Sequence, residues 1–130
     1  MIYLDTSAFL KTVLDEAESH ALEAYLGVHA SATLVSSKLL AVESRRGLQR
    51  LQPARMPRLD ATLADVTLIA VSDAVIESAG RLPDPMLRSL DAIHLATVLL
   101  IREDVDVLLS YDDRLTAAAA SHGINTASPG

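Results

Sequence analysis

Four carboxylates in this chain stand where acids could work together. Asp5 closes "MIYLD", Glu43 lies in "SSKLLAVESRR", Asp91 in "LRSLDAIHLATVLL", and Asp112 directly follows "VDVLLSY". Singly, each has an ordinary explanation. An acid in the first turn of a helix is favoured by the helix dipole, which suits Asp91, and Asp112 resembles an N-cap. Glu43 is harder to dismiss. Leu39 and Leu40 precede it by four and three residues and share its side of a helix, where an unpaired charge is costly. Brought together, four like charges repel and raise one another's pKa, a conflict that a divalent cation removes. Ligation by carboxylates alone, with no cysteine and no clustered histidine, suits a hard ion such as Mg²⁺ or Mn²⁺ better than Zn²⁺. Such ions keep waters and bind substrate phosphates, so the chemistry indicated is phosphoryl chemistry.

The elements that must position these acids follow from the residue pattern. Strands are expected at Ile2–Leu4, Thr33–Val35, Thr67–Val71, Val107–Leu109 and Ile124–Ala127. Helices are expected at Ser7–Leu14, Ala17–Val28, Lys38–Leu51, Arg58–Ala64, Asp73–Ala79, Leu90–Arg102 and Arg114–Ser121. Strands alternating with helices imply βαβ crossovers, hence a mostly parallel sheet of four to five strands between helical layers. In such a sheet the strand ends and the helix starts beside them share one edge, where ligands bind. The longest irregular piece expected is "LQPARMPR", with Pro53 and Pro57 breaking one helix before the next.

Composition sets the remaining bounds. The 130 residues carry no repeat or linker and suit a single domain, 1–130. Half of them are apolar and only 3% aromatic, so Leu, Ala, Val and Ile must build the core. No apolar run is long enough for a membrane span and no secretory signal is visible. With no cysteine either, a reducing cytoplasm is the expected location.

In order and spacing, "YLDTSAFLK", the Glu of "AVESRR", "LRSLDAIHLAT" and "LLSYDDRLTAAA" resemble a PIN-domain ribonuclease, specifically a VapC-type toxin of a bacterial toxin–antitoxin pair. The resemblance spans essentially the whole chain. It implies a three-layer α/β/α PIN-like domain that cuts RNA with Mg²⁺ or Mn²⁺ held by Asp5, Glu43, Asp91 and Asp112. It places Ser7 in the same pocket, and Ser110 two residues before the last acid. It implies 5′-phosphate and 3′-hydroxyl products, with water activated by the metal rather than by a nucleophilic Ser or a general-base His. It further implies a homodimer and a VapB-type antitoxin laid over the early helices. "AFLKTVL" and "ALEAYLGV" hold more apolar surface than one core stripe needs, especially Phe9–Val13 and Leu22–Leu26, which agrees with that partner. Many relatives have a basic residue after the final acid. Here Asp113 follows Asp112, and the expectation is that Asp112 faces the metal while Asp113 caps the last helix.

Contacts to RNA are harder to place. The net charge of −6 argues against a general electrostatic grip on nucleic acid. Yet no acid occurs from Ser44 to Leu59, while Arg45, Arg46, Arg50, Arg55 and Arg58 supply five of the eleven basic residues. A phosphate backbone could lie along Arg45, Arg46 and Arg50; a solvated helix face is the plainer alternative. Arg88, one turn before Asp91, could pair with it or touch a phosphate. Of the four histidines only His94 is near the acids, and a hydrogen bond in helix packing is its expected role.

Other functions fit less well. A PIN-like module that binds RNA or a protein without cutting it would not need all four acids. A receiver-like phosphoacceptor domain wants a paired acid at Thr6 and a closing Lys, but no Lys follows Lys38. A haloacid-dehalogenase-like phosphatase wants a second Asp where Ser7 stands.

Overall fold

Strands β1 (Ile2–Leu4), β2 (Leu34–Ser37), β3 (Thr67–Ile69), β4 (Val107–Leu109) and β5 (Thr126–Ala127) pair in the order β3-β2-β1-β4-β5. Every pairing is parallel, not merely most of them. The cause lies in the connections: each carries at least one helix and none is a hairpin, and parallel neighbours need such crossovers. The helices are α1 (Thr6–Val13), α2 (Ser19–Val28), α3 (Leu39–Leu51), α4 (Met56–Leu63), α5 (Asp73–Gly80), α6 (Ser89–Leu100) and α7 (Asp113–Ser121). This computed structural model describes Met1 to Gly130.

Side chains alternate across a strand, and that alternation sorts the core into two halves. Ile2, Leu4 and Leu109 point to one face, against Ala8, Phe9, Val13, Leu22, Leu40, Leu48 and Leu59 of α1 to α4. Tyr3, Val35 and Leu108 point to the other, against Leu95 and Val98 of α6 and Leu115 and Ala119 of α7. The result is a three-layer α/β/α sandwich, with α5 packed along α6.

Two expectations are corrected. "LQPARMPR" is not irregular: Pro53–Arg55 forms a 3-10 turn and α4 begins at Met56, with Pro57 in its first turn. There the missing N–H of proline costs nothing, so Pro57 starts a helix rather than ending one. Part of the apolar surplus of the early helices is absorbed internally. Phe9, Val13 and Leu22 are fully buried in the core, while Leu10, Tyr25 and Leu26 are partly buried and Val28 is exposed. The three buried side chains serve the fold rather than a covered face.

The chain places β2 and β3 on one side of β1, then returns to place β4 and β5 on the other. Where the direction reverses, the connections after β1 and β4 diverge and leave a crevice at their carboxyl ends. Asp5 follows β1 there, and Ser110 to Asp112 follow β4.

Candidate active site

Asp5 is both a helix cap and the buried centre of a polar cluster. Its backbone is extended and its Oδ1 accepts the Ala8 N–H at 2.9 Å, capping α1. Oδ1 also accepts the Ser7 hydroxyl at 2.7 Å, and Oδ2 accepts the Ser110 hydroxyl. Those hydroxyls are themselves aimed from behind. Tyr111 N–H donates to Ser7 Oγ at 2.9 Å and Asp112 N–H to Ser110 Oγ at 3.0 Å. The ends of β1 and β4 are thus laced together through one carboxylate. Burial drives the Asp5 pKa up, and the three hydrogen bonds oppose that only in part.

Glu43 sits one turn into α3, half-buried, beside the core face formed by Leu40, Ser44, Gly47 and Leu48. Its Oε1 accepts the Thr6 hydroxyl at 2.7 Å and His94 Nε2 at 2.8 Å. Burial pushes this carboxyl up, but the His94 and Thr6 hydrogen bonds outweigh it and hold the pKa below the ordinary value.

Asp91, in the first turn of α6, is also half-buried but no hydrogen bond holds it. Burial raises its pKa, then the negative charge of Asp112, with Asp5 and Glu43 adding to the effect against a smaller opposing influence of His94. The four acids therefore share one electrostatic environment. The donor set fits a hard cation by chemistry, since all the donors are carboxylate oxygens and the least anchored of them is repelled by the other three. As posed, they are spread rather than gathered: no three His, Asp or Glu side chains stand close enough to hold one ion.

Asp91 and Asp112 open onto a cavity of about 350 Å³ that Arg88, Tyr111, Asp113 and Arg114 also line. A cavity of similar size between α5 and α6 is lined mainly by apolar groups, with Asp84 its only ionisable side chain.

The cap of α7 corrects the expectation for the paired acids. Asp112, not Asp113, is the N-cap: its Oδ1 accepts the N–H groups of Arg114 and Leu115 at 2.9 and 3.2 Å. Asp113 is the first helical residue. Only Asp112 has the extended backbone that aims a side chain back at the N–H groups of the first turn. Asp112→Ala is expected to cost about 0.5–2 kcal/mol in urea denaturation, and Asp112→Asn much less, because Asn caps as well as Asp. Asp113→Ala should stay within about 1 kcal/mol, its only stake being the helix dipole.

The arginines divide. Arg45 lies on the flank of α3 away from Glu43 and its Nε donates to Asp60 Oδ1 at 3.2 Å. Arg55 is tied to Val13 O and Asp15, and Arg58 to Thr12 O and Glu23. Arg46 and Arg50 follow Glu43 by three and seven residues, on its own flank, exposed and without an ion pair. Arg88 is exposed at the start of α6. Thr6, Tyr111 and Arg114 are additions that sequence reasoning did not place. Thr6 carried the one available signal, adjacency to Asp5.

A profile of the PIN domain matches residues 2–121. The chain belongs to the PIN-domain family. This PIN domain is 35% identical over 132 residues to Ribonuclease VapC35 of Mycobacterium tuberculosis, covering 100% of this chain and 98% of that one. It is 38% identical over 128 residues to Ribonuclease VapC46 of the same organism, covering 98% and 97%. Solved structures share the fold at low identity. VapC20 of M. tuberculosis, described as a Sarcin-Ricin loop cleaving toxin, superposes with a TM-score of 0.72 at 18% identity, over 91% of this chain and 95% of that one. VapBC2 of Rickettsia felis, bound to a DNA fragment from its promoter, gives 0.76 at 16% identity, over 100% of both chains. A toxin–antitoxin complex from Klebsiella pneumoniae gives 0.74 at 19% identity, over 100% and 98%. The full-length likenesses set this PIN domain among the VapC type.

Proposed function

We propose that this PIN domain is a Mg²⁺- or Mn²⁺-dependent endoribonuclease and the toxin of a toxin–antitoxin pair. The observation that carries the reading is Asp91, half-buried, without a hydrogen bond and repelled by Asp112, Asp5 and Glu43 at the switch point of the sheet. Asp5, Glu43, Asp91 and Asp112 would hold the ion. A bound divalent ion supplies an acidified water and neutralises charge on the scissile phosphate.

The chain's own groups do the rest. Ser7 and Ser110 lock the Asp5 carboxylate in one orientation, so its direction is fixed before substrate arrives. Arg88 and Arg114 rim the acidic cavity, where each could meet a phosphate oxygen of RNA. Arg46 and Arg50 extend the positive flank along α3, past Glu43.

A VapB-type antitoxin and a homodimer complete the proposal. The names of the VapC relatives and the toxin–antitoxin neighbours support the antitoxin; the homodimer rests on the family resemblance alone. No helix is long and apolar enough to cross a membrane. The reading is tested by inducing the chain and its Asp91→Asn variant in bacterial cells and mapping RNA 5′ ends. New ends at a few discrete sites are expected with the parent alone, and co-expression of the neighbouring open reading frame should restore growth. Identical end maps from the parent and the variant would refute it.

A further inference from the structure

Glu43 is anchored from inside the molecule. His94, on α6 and 1% exposed, gives Nε2 to Glu43 Oε1 at 2.8 Å. Behind it the hydroxyl of Tyr3, a β1 residue with no exposed surface, meets His94 Nδ1 at 2.8 Å. The two rings meet edge to face, with centroids 5.8 Å apart. Ser37 N–H, at the end of β2, donates to the Tyr3 oxygen at 3.1 Å. The line therefore runs from the β1–β2 seam, through the core, to an acid of the candidate site.

The protons along this line follow from the acceptor at its end. An ionised carboxylate oxygen can only accept, so the 2.8 Å contact between His94 Nε2 and Glu43 Oε1 needs the ring proton on Nε2. The neutral ring then offers Nδ1 as an acceptor, and the Tyr3 hydroxyl, which accepts from Ser37 N–H, donates to it. The Thr6 hydroxyl donates to the same oxygen at 2.7 Å. Oε1 is thus held twice, while Oε2 accepts nothing from the protein.

We propose that Tyr3 and His94 are positioning residues for Glu43: Tyr3 sets the tautomer of His94, and His94 with Thr6 clamps Oε1 so that Oε2 is left free for the cation. The inference rests on the metal-dependent reading above and adds to it a buried support running across three elements. Asp91 and His94 are three residues apart on α6, so one helix carries a candidate ligand and steadies another. Partners behind a metal ligand commonly matter by 10–100-fold in metal affinity or activity, about as much as many ligands do.

The test is direct Mn²⁺ binding by calorimetry to the folded, metal-free chain, with ¹⁵N shifts of the His94 imidazole as a second readout. The parent should show the Nε2-protonated tautomer, and Tyr3→Phe a mixture of tautomers. His94→Leu should weaken Mn²⁺ binding by about 10–100-fold. His94→Gln, which restores an N–H donor, should recover most of that loss. In a Glu43→Ala background His94→Leu should have no further effect, because the group it positions is gone. If His94→Leu does not fold, Tyr3→Phe and Thr6→Val decide instead, each expected to weaken Mn²⁺ several-fold. Unchanged Mn²⁺ affinity in the folded variants would overturn the proposal, as would an equal loss with and without Glu43. A parent chain that binds no Mn²⁺ at all would refute the metal-dependent reading instead, and the imidazole shifts would still report whether Tyr3 sets the tautomer.

Discussion

Asp5→Asn should lower RNA cleavage by roughly 10²–10³-fold or more, the scale lost when one element of a preorganised charged site is removed. The same change should leave the metal-free fold as stable as the parent, or slightly more so. Asn caps a helix as well as Asp, so Ala8 N–H and the Ser7 hydroxyl keep their acceptor. The new amide would face Ser110, whose hydroxyl can turn to accept.

The pH dependence has a definite sign. Burial raises the Asp5 pKa in the folded chain, so between the unfolded value of about 3.9 and the folded one the native state holds the extra proton. The parent therefore loses stability as pH rises through that window. The variant, with nothing to ionise there, does not. The difference in melting temperature should be near zero at about pH 3 and widen towards neutrality. A variant that melts well below the parent at neutral pH would overturn the burial argument, and one that cuts at the parental rate would show that Asp5 is only a cap.

The strands that carry the site were legible because their apolar runs are short and separated by helical patterns. Ile2–Leu4 and Val107–Leu109 lie where they were expected. Edge strands fared worse: β3 stops at Ile69 rather than Val71, and β5 starts at Thr126 rather than Ile124. β2 runs on to Ser37, because the tertiary pairing Ser36–Leu68 and Ser37–Ile69 extends it over two serines that look like a turn in sequence. The candidate acids could be placed because strand ends and helix starts fall at one edge of a parallel sheet. The supports of Glu43 could not be read the same way. Thr6 and His94 lie 37 and 51 residues from Glu43, and Tyr3 lies 91 from His94, so the group meets only through packing. Asp112 and Asp113 were confused because neighbouring acids before a helix are equivalent in sequence and differ only in backbone conformation.

Phe9→Ala should destabilise the chain by about 3–5 kcal/mol, the cost of emptying an aromatic site in a packed core. Phe9 is the only phenylalanine, has no exposed surface, and lies among the side chains that join α1 to α4 against β1. The sequence alone left open a different role for it, as part of an apolar face kept for a partner. The two roles separate in urea denaturation of the isolated chain. A ring reserved for a partner would cost less than about 1 kcal/mol when removed, as exposed substitutions do. A large loss would show that Phe9 serves the fold, and that an antitoxin must grip other side chains.

The central claim is that four carboxylates at the switch point cut RNA through a bound hard cation. The most direct measurement is cleavage of RNA by the purified chain in excess EDTA, then after Mn²⁺ is restored, with Asp5→Asn purified in parallel to expose contaminating nuclease. Cleavage should stop in chelator and return with Mn²⁺, and Asp5→Asn should stay inactive in both conditions. Undiminished cleavage in chelator by the parent, with the variant silent, would contradict the claim.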